Sequence, residues 1–206
     1  MKILNRTILF GVFMMILSSA AFAAEETASP AAAPAGMDPA VMEKMKALMA
    51  PGEPHKALEA FTGKWTYTGK FWMAPDTPPQ EMTGTATNAM IFAGRFLKQE
   101  IEGPWMGENF QGIGYTGYDN IKGSYETVWI DSMGTGIMTS SGQYTAATQT
   151  LSQAGANSCP LTGEKARPGR SEWTVVDHDH STYSSYLNGP DGKEFKAMEL
   201  TYTRVP

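Results

Sequence analysis

The chain has 206 residues, with 16 Lys and Arg against 21 Asp and Glu, and it has one cysteine. Its net charge of −5 disfavours nucleic acid and anionic lipid surfaces as partners, because both repel an acidic protein. A single cysteine excludes an internal disulfide, so the stability of the fold must come from packing.

The N-terminus has the three parts of a secretory signal. Lys2 and Arg6 precede an apolar run over residues 8–17. The small residues after the run end in Ala21-Phe22-Ala23, an Ala-x-Ala cleavage site. The apolar run is too short to be a transmembrane anchor. We therefore predict a signal peptide over residues 1–23, cleavage after Ala23, a periplasmic or secreted location, and no membrane insertion of the mature protein. Residues 24–36 are rich in Ala and Pro and are predicted to form a disordered linker.

Residues 37–206 are predicted to form one domain, which begins with a helix. Asp38 and Pro39 are favourable residues for a helix start. Apolar residues then recur at helical spacing, namely Val41, Met42, Met45, Leu48 and Met49. Pro51-Gly52 ends this helix, and a second short helical turn follows over residues 54–61.

From Gly63 onward, apolar and polar residues alternate, which is the pattern of half-buried strands. Turn residues such as Gly103-Pro104 and Asn188-Gly189 separate the alternating segments. The longest break, residues 154–169, is predicted to be a mobile loop at one mouth of the fold. Ten strands are predicted, over residues 63–73, 81–93, 95–102, 109–118, 124–131, 136–144, 148–153, 171–177, 181–187 and 194–205.

Ten strands in sequence with short connections favour an up-and-down meander. A meander of this length exposes two edges unless it closes on itself. We therefore predict an all-β fold, a closed or nearly closed antiparallel barrel of about ten strands with a short N-terminal helix. A barrel of about eight strands or more has an interior wide enough for packed side chains or one small ligand.

Two motifs at the ends of the predicted strand region resemble the calycin superfamily, the lipocalins and their relatives. Gly63-Lys64-Trp65 opens the first strand, and Arg204 lies on the last one. In that superfamily a G-x-W opens the barrel, and a basic residue of the closing strand packs across the tryptophan. The resemblance implies structural roles for Gly63, Trp65 and Arg204.

Longer stretches are similar to one bacterial group, domain-of-unknown-function family 1579. They include residues 69–73 (GKFWM), 94–97 (GRFL), 114–120 (GYTGYDN), 129–138 (WIDSMGTGIM) and 189–196 (GPDGKEFK). Together they extend over most of the chain from about residue 60 to its end. The resemblance implies a secreted calycin-like barrel, and it implies no reaction and no catalytic residues.

Four consecutive residues that could ligate a metal form one polar cluster, Asp177-His178-Asp179-His180. Carboxylates and imidazoles are metal ligands, and alternation places His178 and His180 on one face. The same cluster lies where two predicted strands meet, which is also typical of an exposed turn. We predict no bound metal, with His178 and His180 as weak candidates. The third histidine, His55, is predicted to lie on the surface.

The chain has no signature that nominates an enzyme or a cofactor. It lacks G-x-S-x-G, H-E-x-x-H, C-x-x-C and P-loop motifs. Asp131 is interpreted either as a ligand contact at the barrel mouth or as a carboxylate that caps a turn. Glu100 and Glu102 share a strand face. Paired carboxylates of this kind either act in acid–base chemistry or simply face solvent. Cys159 has no basic neighbour in the sequence and is not expected to be reactive.

The favoured function is a periplasmic barrel that binds a small, largely apolar molecule. Inward-facing aromatic rings and flexible methionines would line an adaptable cavity. A structural or interaction module with a filled core is the alternative, with Trp72 and the turn around Trp105 as contact points. A hydrolase or isomerase that uses Asp131 or Glu100 is less favoured, and no oligomeric state is predicted. The candidate lining residues are Tyr67, Phe71, Met90, Trp129, Met138, Trp173, Met198 and Tyr202.

Overall fold

The computed structural model describes residues 38–160 and 162–206. The predicted signal peptide and linker therefore lie outside the described residues. Pro39–Pro206 form one compact unit. It begins with helix α1 (Pro39–Met49) and the short helix α2 (Glu53–Ala57), followed by one turn of 3-10 helix (Leu58–Phe61), which we call the closing turn.

Ten antiparallel strands follow the closing turn, and each pairs with its neighbours in sequence. The last strand pairs with the first, from Trp65 opposite Arg204 to Phe71 opposite Met198, so the sheet closes on itself. This confirms the predicted fold, a closed ten-stranded up-and-down barrel with a short N-terminal helix. The strands are β1 (Gly63–Phe71), β2 (Gln80–Ile91), β3 (Phe96–Trp105), β4 (Glu108–Asp119), β5 (Ser124–Asp131), β6 (Met138–Thr145), β7 (Thr150–Asn157), β8 (Arg167–Val175), β9 (His180–Asn188) and β10 (Glu194–Arg204).

Consecutive strands are antiparallel, so their connections alternate between the two ends of the barrel. The closing turn packs into one end, which we call the closed end. The opposite end, which we call the mouth, carries the connections over residues 72–79, 106–107, 132–137, 158–166 and 189–193.

Apolar packing and two polar anchors hold the closing turn in place. Leu58 and Phe61 are 1% and 0% exposed, in one cluster with buried inward-facing residues of four strands, β3, β5, β7 and β8. Asn88 Nδ2 donates a hydrogen bond to the Phe61 carbonyl oxygen at 2.8 Å, and Tyr125 Oη donates one to the Pro54 carbonyl oxygen at 2.8 Å. These bonds satisfy carbonyl groups that burial would otherwise leave unpaired.

Arg204 joins several elements of the closed end. Its Cζ lies 4.1 Å from the centroid of the Trp65 ring. Its Nη1 donates to the Thr62 carbonyl oxygen and its Nε to the His178 carbonyl oxygen, both at 2.7 Å. Gly63 has a φ of 125°, and a Cβ at this position would run into the Arg204 guanidinium. Only glycine fits both the backbone angle and the space.

The predicted break at Gly103-Pro104 is wrong. Strand β3 continues through Pro104 to Trp105, and the turn lies at residues 106–107. Pairing between β2 and β3 ends at Glu102, so Pro104 lies beyond that ladder. A proline is tolerated there because no hydrogen bond to β2 is lost.

The predicted loop over residues 154–169 is shorter in the structure. Strand β7 runs to Asn157 and β8 starts at Arg167, which leaves residues 158–166 as the connection. The segment 154–156 pairs with 168–170. Ala and Gly dominate the first of these segments, so the sequence has no apolar alternation there to indicate a strand.

His55 is buried, which contradicts the surface position that we expected. Its Nδ1 accepts a hydrogen bond from the Gly52 backbone N–H at 3.0 Å, and its ring packs edge-on against Tyr118 at 5.9 Å. Burial lowers the pKa of His55 below its usual 6.5. The contact was hidden from sequence reasoning, because Tyr118 comes from β4 and is distant in the chain.

Helix α1 is mostly exposed, and hydrogen bonds from side chains at the closed end of the barrel to backbone carbonyl oxygens at the end of the helix hold it in place. Asn120 Nδ2 donates hydrogen bonds to the Leu48 and Ala50 carbonyl oxygens, both at 2.9 Å. Across residues 38–160 and 162–206, no helix combines the length and apolar character that crossing a membrane requires. The apolar residues of α1 that remain exposed are Val41, Met45, Leu48 and Met49.

Candidate functional site

Large apolar side chains line one side of the barrel interior toward the mouth. They are only partly buried and pack against a fully buried cluster that includes Trp65, Tyr67 and Leu200. Two of them meet edge-on, with ring centroids 5.0 Å apart. We call this set the apolar wall, and it consists of Phe71, Trp105, Phe110, Trp129 and Met198.

Trp129 is held flat against β4 by glycine and by a carboxylate. A Cβ at Gly112 would run into its indole ring, and a Cβ at Gly114 would lie 2.9 Å from its Cε3. Its Nε1 donates a hydrogen bond to Asp131 Oδ2 at 2.9 Å. Asp131 Oδ1 accepts another from the Met133 backbone N–H at 2.9 Å. The Asp131 carboxylate therefore positions an aromatic ring and caps a turn.

The opposite side of the interior carries small polar side chains. Thr127 Oγ1 lies 2.8 Å from Thr116 Oγ1 and donates to Gln153 Oε1 at 3.0 Å. Gln153 on β7 reaches Thr127 on β5 across Gly142 of β6, where no side chain intervenes. We call this side the polar wall, and by strand alternation its members are Thr116, Thr127, Ser140, Gln153, Ser171 and Ser185.

Three tyrosines belong to or pack on the buried cluster behind the apolar wall. Tyr183 packs against both buried clusters of the interior, and the Tyr67 and Tyr202 ring centroids are 5.7 Å apart. Burial raises the pKa of all three phenols above the usual value of 10. The hydroxyl groups therefore stay protonated at neutral pH, and that of Tyr183 forms a hydrogen bond with Ser171.

Several inward-facing side chains of the mouth-side half have intermediate burial. Thr127, Ser140, Ser171, Tyr183 and Ser185 point inward, yet each is only partly buried. We call the part of the barrel interior that these side chains line the lumen. Two recesses of about 480 and 420 Å³ are distinct from it, one on the outside of β2 and β3 and the other at the closed end.

The sequence comparison decides the family. A family model described as "Protein of unknown function (DUF1579)" matches residues 50–204. The chain belongs to the DUF1579 family. This confirms the resemblance found in the sequence, whereas no curated protein matches the chain.

Two solved structures share the fold of this DUF1579 barrel. Rv2717c from M. tuberculosis is 17% identical with a TM-score of 0.57, and the match covers 76% of this chain and 100% of that one. The S-type phycobiliprotein lyase CPES from Guillardia theta is 11% identical with a TM-score of 0.50, covering 76% and 99%. At these identities the likeness shows a common lipocalin-like barrel.

The DUF1579 barrel brings together most of the lining residues named from the sequence. Tyr67, Phe71, Trp129, Met198 and Tyr202 belong to or pack on one cluster. Met138 lies opposite Trp129 in the β5–β6 pair and is partly buried.

The other two named residues do not reach the mouth. Met90 and Trp173 lie in the closed-end cluster, where the Trp173 ring centroid is 4.4 Å from that of Phe61. The alternation that places them inward does not reveal the level at which they lie along the barrel axis.

Other polar residues named from the sequence are engaged at the surface. His178 Nδ1 pairs with Asp179 at 2.6 Å and His180 Nδ1 with Asp177 at 2.9 Å. Within the described part of the chain, no three metal-ligating side chains converge. Glu100 is exposed and pairs with Lys98 at 2.7 Å.

The turn expected around Trp105 is also corrected. Trp105 is part of strand β3 and of the apolar wall, so it is not an exposed contact point. Trp72, the other contact point considered, is partly buried.

Sequence reasoning missed Arg167, a buried charged residue near the mouth. It is 8% exposed, and its Nε and Nη2 donate to the Asn188 carbonyl oxygen. Its Nη1 lies 3.6 Å from Cys159 Sγ, so the cysteine does have a basic neighbour in space. The sequence gives no local indication of this contact, because Cys159 lies in the β7–β8 connection, eight residues before Arg167.

Proposed function

We propose that this DUF1579 protein is a secreted binding protein whose lumen holds one small, largely apolar molecule. The observation that carries the proposal is the accessible surface of inward-facing side chains on both walls. Side chains that fill a core completely leave no such surface, because protein interiors are close-packed.

The chemistry of the two walls fits a ligand of this kind. The apolar wall offers aromatic rings and a flexible methionine thioether for contact with an apolar body. The hydroxyl groups of the polar wall and of Tyr183 offer a few hydrogen bonds that would fix its orientation. A lipocalin-like barrel, the fold shared with the lyase, is compatible with binding a small molecule.

We propose a periplasmic or secreted location on the strength of the N-terminal sequence. Lys2, Arg6, the apolar run and Ala21-Phe22-Ala23 together have the pattern of a cleaved signal. The test is the mass of the protein recovered from the periplasmic fraction of an expressing cell. A chain that begins at Ala24 supports export, and an uncleaved chain in the cytoplasm would contradict it.

Ligand binding is tested by native mass spectrometry of the purified protein and by its tryptophan emission on addition of apolar compounds. Trp129 is part of the apolar wall, so occupancy should change its fluorescence. Adjacent serines on β6 provide a matched pair of variants. Ser140 faces inward and Ser141 is exposed on the outer face.

We expect Ser140→Phe to abolish binding, because its ring occupies the lumen, and Ser141→Phe to bind like the wild type. A wild-type barrel that takes up no compound would refute the proposal and leave the interaction module as the better hypothesis. Equal binding by both variants would move the ligand out of the lumen.

A further inference from the structure

Arg167 is directed into the mouth-side part of the barrel. On β8 the inward positions alternate with outward ones, and Trp173 and Val175 are buried at the other end of the same face. Arg167 lies three and four two-residue repeats before these residues, so it shares their inward face, and its Cζ lies 5.7 Å from the centroid of the Phe195 ring. The guanidinium is thus at the mouth, above the polar wall.

The charge of Arg167 has no carboxylate partner. Across the described residues, the ion pairs of the barrel do not include Arg167, and its contacts are a carbonyl oxygen and a sulfur atom. Burial of a charge without a counter-charge is unfavourable, so an anionic partner would stabilise this guanidinium. Of the five N–H donors of a guanidinium, three are used here, which leaves two for an acceptor.

Beside Arg167, the described inward positions of the β7–β8 pair carry no carboxylate and no other charged group. Its partner across the β7–β8 pair is Asn157, whose Oδ1 is buried and makes no hydrogen bond. The next inward pair along the same two strands is Gly155 and Gly169. These two glycines place no side chain beside Arg167, and Leu187 of β9 packs over Gly169, where a Cβ would lie 2.8 Å from Leu187 Cδ2.

We propose that Arg167 is an anion-binding residue and that the ligand of the lumen carries one anionic head group on its apolar body. The apolar part contacts the apolar wall, and the anion accepts hydrogen bonds from the guanidinium at the mouth. This inference rests on the proposed function, and it adds the chemical class of the ligand.

The test uses two fluorescent probes with the same apolar skeleton, anilinonaphthalene sulfonate and the neutral phenylnaphthylamine. Wild-type protein should bind the sulfonate at least about tenfold more tightly, as one charge-assisted hydrogen bond predicts. Arg167→Gln, which keeps a donor for Asn188, should lose this preference. Arg170→Gln should retain it, since Arg170 lies on the outer face and pairs with Glu194 at 2.8 Å.

Circular dichroism and thermal melting show whether each variant folds, and Arg167→Lys is the second variant if the glutamine form does not. The lysine form keeps the charge and should keep part of the preference. Equal affinity of wild type for both probes, or an unchanged preference in Arg167→Gln, would overturn the proposal while the binding function stands. If the wild type binds neither probe nor any other apolar compound, the binding function fails as well.

Discussion

Replacement of Arg204 by methionine tests how the barrel is closed. The substitution keeps the aliphatic stem over Trp65 and removes the guanidinium. It deletes two charged hydrogen bonds to backbone carbonyl oxygens, both at 2.7 Å, and the contact with the indole ring at 4.1 Å. The Arg204 side chain is 20% exposed, so we assign each of the three contacts about 1 kcal/mol, near the lower end of their ranges. The expected loss is about 3 kcal/mol of the free energy of unfolding.

Urea denaturation followed by tryptophan fluorescence measures this loss, and a thermal melt should show a decrease of about 6–12 °C for a domain of this size. Arg204→Lys should lose about half as much, because it keeps a charge near the ring and gives up the planar fork. Arg95→Met is the matched control at the same end of the barrel. Arg95 also donates to two carbonyl oxygens, at 3.1 and 3.3 Å, but it is not stacked on an aromatic ring. A loss below about 1 kcal/mol for Arg204→Met, or one no larger than that of Arg95→Met, would refute this account of the closure.

Three further predictions concern the closed end and the apolar wall. Because the pKa of His55 is lower in the folded state than its unfolded value of 6.5, the unfolded chain binds more protons as pH falls through 6.5. The free energy of unfolding should therefore decrease below about pH 6.5, and His55→Gln should flatten that dependence; an unchanged slope would contradict the assignment. Burial raises the pKa of Tyr125 to about 12, so a spectrophotometric titration should show one phenol that ionises only near this pH, and it should be missing in Tyr125→Phe. Gly112→Ala should destabilise the barrel by about 1–3 kcal/mol, because its methyl group meets the indole ring that covers β4. Gly134→Ala should be neutral in the same denaturation assay, because a Cβ there makes only an ordinary contact with Gly136 N at 3.9 Å.

The barrel could be predicted from the sequence because its main signal is local. The alternation of Trp65, Tyr67 and Phe71 with polar residues indicates a strand without knowledge of its partner. Because the two edge strands of an open ten-stranded sheet would be exposed, closure of the sheet into a barrel is favoured. The same reasoning failed where the signal was absent, as at residues 154–156, or ambiguous, as at Pro104. Backbone pairing in those places depends on the neighbouring strand, which periodicity does not reveal.

The site was only partly predictable for a related reason. Alternation determines that Met90 and Trp173 face inward, but not that they lie under the closing turn. His55 and Arg167 were missed or misplaced because their partners, Tyr118 and Asn188, come from other strands. The environment of a charged or titratable residue is set by residues from several strands, so it is known only from the assembled barrel.

The lumen follows from a mismatch between the width of the barrel and the size of its inward residues. A barrel of eight strands has an interior just wide enough to be filled by side chains, and the diameter grows with the number of strands. This barrel has ten. A wider barrel that is solid throughout needs larger inward residues, but β6 to β9 supply Ser140, Gly142, Gly155, Ser171 and Ser185. Large inward residues are concentrated at the closed end and in the apolar wall, and Leu187 of β9 packs over Gly169 near the mouth. The small side chains at the other inward positions of β6 to β9 are the physical basis of the binding proposal.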